Sequence, residues 1–456
     1  MQIGARRRRP GSGPPKFVTG SPLRHVLVMT GTGAIGLMAI FVSDLATILF
    51  LSWQADQAVV AAVGYAGSIV FLTIAMGLGL SIAAAALVAP ALGAGRRMRA
   101  RRLSLNAHVL TFTTAAVLAL AIWLAIPWLL MLLGAEGRAY DLAADYLMIL
   151  VPALPPLAAA MTSASVLRSV GDARRAMTVT LTGAVVSTVL DVVLILGLDY
   201  GIHGAAVAST VSRVVMMGVG LYGVVVVHDL AGRLRLPTVL ADAPVLFSVA
   251  LPVVLTNIAT PFANAYVTRA MAPFGDSAVA GWAIIGRVTP VAFGAIFALS
   301  GTVGPIVGQN YGAAAFDRVR GTLTQSLLVT AGFTGIAWLL LAALAWPIAS
   351  AFDARGETAE LIVFFCRALA PLFVFLGALF VSNATFNTLG RPHYSSFLNW
   401  GRATLGTMPF VTAGAYLAGA PGVLAGSMLG GLVFGTLAVW LAYRWIDELE
   451  ARARRG

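Results

Sequence analysis

The sequence predicts an all-α membrane protein with twelve transmembrane helices in two six-helix lobes, related by a pseudo-two-fold axis along the membrane normal. Of its 456 residues, 59% are hydrophobic and only 11% are charged, whereas soluble domains usually carry about 25% charged residues. Apolar runs long enough to cross a bilayer recur along the chain, and several short motifs recur about 219 residues apart. These observations exclude a soluble globular protein.

The individual spans follow from the length of each apolar run. A helix needs about 20 predominantly apolar residues to cross the hydrocarbon core. Runs that meet this requirement lie at 25–52, 58–92, 105–133, 140–168, 176–198, 202–227, 244–272, 278–308, 322–350, 358–387, 394–418 and 422–446. The polar segments between them are too short to form a folded domain outside the membrane.

The charge of the loops predicts the orientation. Of the 30 Lys and Arg residues, 23 lie in the N-terminal tail, in alternate loops and at the C-terminal end, whereas the other loops carry only Arg138 and Arg355. Basic loops stay on the cytoplasmic side, so both termini are predicted to be cytoplasmic. The net charge of +12 therefore indicates contact with anionic lipid, and nucleic acid is not expected as a partner. The single cysteine, Cys366, excludes an intramolecular disulfide and a cysteine metal cluster.

An internal repeat predicts the domain organisation. Gly93 and Gly171 recur as Gly312 and Gly390 at the same offset of 219 residues. Because each half holds an even number of helices, both halves have the same orientation in the membrane. The predicted parts are a disordered basic N-terminal tail (1–23), an N-lobe (24–228), a cytoplasmic linker (229–243), a C-lobe (244–446) and a cytoplasmic C-terminal tail (447–456).

Two carboxylates lie deep in apolar runs of the first half, and they are the main candidates for function. Asp44 and Asp191 each precede the outer end of their helix by eight residues, which places both about 12 Å below the outer face. Ser209 in the sixth helix reaches the same level, and Ser187 shares a helical face with Asp191. Acids in the membrane are costly and usually functional. The alternative is a structural role, with the acids neutralised by Arg213.

The second half carries amides and aromatic residues in place of acids. Asn257 and Asn264 are seven residues apart and share a face of the seventh helix. Together with Trp282 and Phe293 they are predicted to line a substrate cleft. The alternative role for the two amides is helix packing.

The order and spacing of several motifs resemble the multidrug and toxic compound extrusion (MATE) family, from about residue 21 to residue 444. The motifs that carry the resemblance are I-F-V-S-D at 40–44, V-A-A-V-G at 60–64, L-G-A-G at 92–95, R-S-V-G-D at 168–172, V-L-D at 189–191, G-A-A-V-A at 204–208 and V-G-Q-N-Y-G-A at 307–313.

The resemblance implies a V-shaped pair of lobes and cation-coupled export of organic, often cationic, drugs. Asp44 and Asp191 fall on the two acidic positions of the first lobe, which implies that they are the proton-coupling pair. The chain departs from the family pattern at Ser187, where Asn is usual, and at Ser209, where Thr is usual. Thr260 stands where the sodium-coupled branch tends to carry Glu, which favours protons and makes sodium the less expected ion.

The predicted function is therefore export of small organic, amphipathic or cationic compounds by proton antiport, in a bacterial inner membrane. We expect a monomer in a lipid bilayer that binds a small-molecule substrate and uses no metal or cofactor besides the coupling proton. A flippase for lipid-linked precursors would need several cations in its cavity, where only Arg213, Arg287 and Arg367 are candidates. A channel or membrane receptor would not need two matched halves. An enzyme is not expected, because no nucleophile is paired with a base.

Overall fold

The computed structural model describes residues 15–53 and 57–455, which are almost entirely helical and contain no strand. Ten helices are long and apolar enough to cross a membrane, and a pair of helices bent by 52° adds an eleventh span. The longest segment, Pro392–Arg455, contains non-helical backbone at Ala418 and Gly419, which divides it into two spans. The prediction of twelve transmembrane helices in an all-α fold is confirmed.

The first six helices form the N-lobe and the last six form the C-lobe. The N-lobe helices are α1 (Pro22–Ser52), α2 (Gln57–Gly93), α3 (Arg97–Leu132), α4 (Gly137–Val170), α5 (Ala173–Gly197) and α6 (Gly201–Val227). The C-lobe helices are α7 (Leu236–Phe274), α8 (Asp276–Ala292 and Gly294–Gly312), α9 (Phe316–Ala343), α10 (Glu357–Thr388), α11 (392–418) and α12 (419–455). Long helices are expected, because every backbone polar group inside a bilayer must be paired within the protein.

The connections between helices differ in part from the predicted boundaries. Helix α7 begins at Leu236, inside the segment predicted as a linker at 229–243. At the other end of the lobe, α12 stays helical through Arg455, although residues 447–456 were expected to form a tail. We call the end of the molecule that carries the α2–α3, α4–α5, α6–α7, α8–α9 and α10–α11 loops the basic end.

The turn between α4 and α5 shows how the sequence shapes the basic end. Gly171 ends α4 in a left-handed conformation with φ 89°, and Asp172 caps α5 by accepting a hydrogen bond from the backbone N–H of Arg175. His228, from the loop after α6, lies 2.8 Å from the same carboxylate. Burial raises the pKa of Asp172, but the hydrogen bonds from His228 and Arg175 lower it by more, so its net pKa lies well below the usual range.

The prediction of a disordered tail to residue 23 is corrected by the segment that precedes α1. Phe17 is only 1% exposed, and its backbone N–H donates to Gln309 Oε1 at 2.9 Å. Its carbonyl accepts from the Arg318 guanidinium at 2.8 Å, and Lys16 donates to the Gly171 carbonyl at 2.6 Å. Lys16 and Phe17 therefore bridge the lobes, whereas residues 1–14 of that predicted tail lie outside the described residues.

The two lobes meet most closely where α2 crosses α8 at the basic end. A Cβ atom at Gly93 would lie 1.9 Å from the carbonyl oxygen of Gln309, and one at Gly312 would lie 2.0 Å from that of Pro90. Pro90 and Gln309, like Gly93 and Gly312, are separated by the repeat offset of 219 residues. The crossing is thus pseudo-symmetric. The distance between α2 and α8 is set by Gly93 and Gly312, which have no side chains.

Away from the basic end, α8 changes direction. Its two segments are bent by 52° where Phe293 separates Ala292 from Gly294. Only the second segment packs closely on α1, where a Cβ at Gly33 would contact Ala298 at 3.5 Å and one at Gly294 would contact Met38 at 3.1 Å. The lobes are therefore joined over the half nearer the basic end.

We expect Gly93→Ala and Gly312→Ala each to destabilise the protein by about 1–3 kcal/mol, because the added methyl group overlaps a backbone oxygen that cannot rotate away. The measurement is the midpoint of thermal unfolding of the purified protein. Gly64→Ala in the same helix α2 is the matched control, since a Cβ there meets nothing within 4 Å. Equal midpoints for all three variants would contradict the close crossing.

Candidate functional site

The candidate site lies in the N-lobe, where α1 packs against α5. The contact is close because Gly36 has no side chain, and a Cβ there would lie 2.2 Å from Thr180 Oγ1. Farther along, Thr188 donates to Ser43 Oγ at 3.0 Å, and Ser43 donates to the Ala184 carbonyl at 3.3 Å. These hydroxyl contacts fix the register between the two helices.

Asp191 is the fully buried acid of this interface, with 0% of its surface exposed. Thr47 Oγ1 donates to Asp191 Oδ2 at 2.5 Å, while Oδ1 has no hydrogen-bond partner among the described residues. The α-helical part of α5 ends at Asp191, and a π-helical turn, Val192–Gly197, follows. Such turns often occur at functional sites, because they change the direction in which side chains point.

Asp44 is the second acid, and it remains exposed on α1. Its electrostatic neighbours are Arg213 from α6 and Asp191 from α5. Arg213 also interacts with Tyr146 from α4, and the hydroxyl of Tyr146 lies beside Ser209. Helices α1, α4, α5 and α6 therefore bring two acids, one arginine and three hydroxyl groups into one region, where the carboxylates can bind or release protons.

The three other N-lobe predictions are placed as follows. Arg213 and Ser209 lie in the polar region with the acids, as expected from their depth. Within the described residues, Arg213 forms no direct ion pair with either acid, and its buried Nη1 has no hydrogen-bond partner. Ser187 shares a helix with Asp191 but makes no hydrogen bond to either acid in the described part of the chain.

Thr47 is the functional candidate that the sequence reasoning missed. It lies three residues after Asp44, so the two side chains share a face of α1. That spacing was a usable signal, because it placed a hydroxyl donor near the depth at which both acids were expected. The rotation of α1 about its axis, which points Thr47 at Asp191, could not be predicted from the sequence.

The C-lobe candidates do not form one cluster. Asn257 Nδ2 donates back to the Val253 carbonyl of its own helix at 2.9 Å, whereas Asn264 is exposed. Trp282 Nε1 donates to Thr268 Oγ1 at 3.0 Å, across the α7–α8 contact. The geometry of Asn257 matches the packing role that was weighed against substrate binding.

Phe293 is placed differently from the prediction that it lines a cleft. It is 1% exposed and stacks on Phe373 with ring centroids 4.0 Å apart. The bend of α8 at this residue turns the ring into the C-lobe core. In this conformation Phe293 stabilises the bend and does not reach the cleft.

Comparison with known proteins gives matches along nearly the whole chain. A family model described as MatE matches residues 34–193 and again residues 252–411, one match in each lobe. A Shewanella oneidensis protein named FAD transporter is 28% identical over 438 residues, which cover 94% of this chain and 97% of that protein. An uncharacterized 21 kDa protein of Pseudomonas savastanoi is 36% identical over 239 residues, covering 52% of this chain and 78% of that protein.

Solved structures give the same fold. A mutant of the Vibrio cholerae MATE transporter VcmN matches with a TM-score of 0.85 and 24% identity, covering 93% of this chain and 96% of the other. A transporter of the MOP superfamily from Pyrococcus furiosus, described as having a binding pocket of reverse polarity, matches with a TM-score of 0.87 and 22% identity over 96% and 99% of the two chains.

We expect Thr47→Val to lower the free energy of unfolding by about 1–3 kcal/mol, because it removes the donor to a buried carboxylate while keeping the side-chain shape. Thermal unfolding of the purified protein measures the change. Thr47→Ser retains the hydroxyl and is the control. The hydrogen bond would be unimportant if the valine and serine variants were equally stable.

Proposed function

The chain belongs to the MATE family of membrane transporters, and we propose that it exports small amphipathic organic molecules in exchange for protons. The family assignment confirms that the protein is a multi-pass transporter and not an enzyme. The observation that carries the proposal of proton coupling is the pair Asp44 and Asp191, which are electrostatic neighbours in one lobe.

The pair suits proton exchange because its members differ in environment. Asp191 is enclosed and bonded to Thr47, whereas Asp44 is exposed on α1. Two neighbouring carboxylates in apolar surroundings repel each other when both are charged, so one bound proton relieves the repulsion. Arg213 supplies a positive charge nearby, so the charge of the region depends on how many protons the acids hold.

Proton binding is then coupled to the position of α1. Helix α1 carries Asp44 and Thr47 and also packs on the second segment of α8 near Gly33. A change in the α1–α5 contact that moves α1 therefore also changes the contact between α1 and α8, which joins the lobes. In the proposed cycle, protons enter from the outer side, the packed basic end opens, and substrate from the cytoplasm replaces them.

Thr260 supports protons over sodium as the coupling ion. It stands where the resemblance places a Glu in the sodium-coupled branch, and its hydroxyl contacts Arg402 at 3.1 Å. A neutral hydroxyl beside a guanidinium is a poor site for a cation.

A flavin dinucleotide is a second candidate substrate. The relative that matches 94% of this chain at 28% identity is named an FAD transporter. A molecule of this kind is amphipathic and anionic, so it would need a positive group within the transport path.

We expect Asp44→Asn and Asp191→Asn each to reduce proton-driven transport to the level of empty vesicles, because an amide keeps the size of the side chain but cannot titrate. The measurement is uptake of a lipophilic cation into inverted vesicles under an imposed pH gradient, with and without a protonophore and without sodium. The double variant should lose little more than either single one, since the acids act as one unit.

Asp145→Asn is the control for these variants, because Asp145 is a half-exposed acid that pairs with His203 at 3.1 Å outside the candidate site. It should transport at the wild-type rate. Sodium-dependent uptake that ignores the pH gradient would disprove proton coupling. Folded Asn variants with wild-type rates would show that the two acids are structural.

The proposed location is a bacterial inner membrane with both termini in the cytoplasm. We expect single cysteines at Glu136 and Arg355 to react with an impermeant thiol reagent added outside intact cells, while cysteines at Met98 and Leu234 should not. Met98 and Leu234 are 74% and 64% exposed, so protection there would reflect the membrane and not burial. Cys366 is 0% exposed and should not contribute. The reverse labelling pattern would invert the orientation.

A further inference from the structure

Helix α11 is interrupted in its middle, next to a buried arginine. Its first helical segment ends at Ala403, and the next begins at Met408. Between them Thr404 has φ −103° and ψ −80°, and the Thr407 hydroxyl donates to the Arg402 carbonyl at 2.8 Å. The backbone at this break offers no free donor at its start, because the Met408 N–H already bonds to the Thr404 carbonyl at 2.8 Å.

Arg402 lies at the end of the first segment and is only 7% exposed. Its Nη2 donates to Thr260 Oγ1 of α7 at 3.1 Å, whereas its Nε has no hydrogen-bond partner among the described residues. Within that part of the chain no carboxylate pairs with it. A buried guanidinium stays charged and is costly to bury unless an anion lies beside it.

The acids of the C-lobe lie away from the middle of its helices, and those at the end of α12 pair with arginines at the same end. All of its acidic residues up to the end of α10 lie at helix ends or in loops: Asp276, Asp317, Asp353, Glu357 and Glu360. Asp242, near the start of α7, is already bonded to Arg102 and Asn106 of α3. The N-lobe differs, because Arg213 there has Asp44 as an electrostatic neighbour.

We propose that Arg402 and Thr260 form a subsite in the C-lobe for a phosphate or carboxylate group of the transported molecule. This inference rests on the proposed function as an exporter and adds the chemical class of the substrate, an amphipathic anion. The guanidinium supplies the charge and the free Nε–H, and the threonine hydroxyl supplies a neutral donor.

The test compares binding of FAD and of riboflavin to the purified full-length protein, since riboflavin has the same ring system without phosphate groups. The wild type should bind FAD more tightly than riboflavin. Arg402→Gln should weaken FAD binding about tenfold or more and leave riboflavin binding unchanged. Arg367→Gln, which removes an exposed arginine of α10, should alter neither.

Thr260→Glu keeps the test decisive if Arg402→Gln does not fold. It places a carboxylate beside the guanidinium, so the variant should fold, lose FAD binding and still bind a lipophilic cation. A wild type that binds FAD no more tightly than riboflavin, or a Thr260→Glu variant that binds FAD like the wild type, would overturn the subsite.

The phosphate of a lipid headgroup is the alternative ligand for this subsite. Binding measurements on the same wild-type and variant proteins distinguish it from the transported molecule. Phosphatidylglycerol added to neutral phosphatidylcholine should not compete with FAD. Stabilisation of the wild type by phosphatidylglycerol, without FAD binding, would overturn the assignment to the transported molecule. The two proposals fail in different experiments. A wrong proposal of proton coupling would show in the uptake of a lipophilic cation by the Asp44 and Asp191 variants, whereas a wrong subsite would show in the affinity for FAD.

Discussion

The close crossing of α2 and α8 is the contact on which the arrangement of the two lobes depends. Gly93 and Gly312 bring each helix against a backbone oxygen of the other, at equivalent positions of the repeat. Close packing of this kind is rigid, because no side chain is present that could adjust. The crossing therefore holds the lobes together at the basic end in this conformation, whereas the first segment of α8 bends away by 52°. In the proposed cycle this crossing must separate for the basic end to open.

The two lobes share a fold but differ in charge. The N-lobe holds Asp44 and Asp191 with Arg213 nearby, whereas the C-lobe holds Arg402 without an acidic partner among the described residues. A repeat that is symmetric in its backbone thus has opposite polarity in its two halves. Under the two proposals made above, this division would place proton exchange in the N-lobe and recognition of an acidic group in the C-lobe.

The fold was predictable from the sequence because it depends on properties that can be read along the chain, namely the length of each apolar run and the spacing of repeated residues. Apolar run length predicted the spans, and glycine spacing predicted the two lobes. The meeting of Asp44 with Asp191 was also predictable, since depth in a helix follows from residue number. Thr47 was missed and Phe293 was placed wrongly, because rotation about a helix axis and the bend of α8 depend on packing between distant segments. The ordered Lys16 and Phe17 were missed for the same reason, since their partners lie in α4, α8 and α9.

The docking of Phe17 imposes an order on biosynthesis. The ribosome delivers residue 17 early, but its partner Gln309 follows 292 positions later in the chain. At usual elongation rates this separation corresponds to a delay of roughly 15–60 s. During that interval Gly171, the partner of Lys16, is already synthesised, whereas Phe17 still lacks Gln309. Burial of Phe17 is thus a late event that follows insertion of α8. A chain in which Phe17 is buried is one whose C-lobe has packed against its N-lobe.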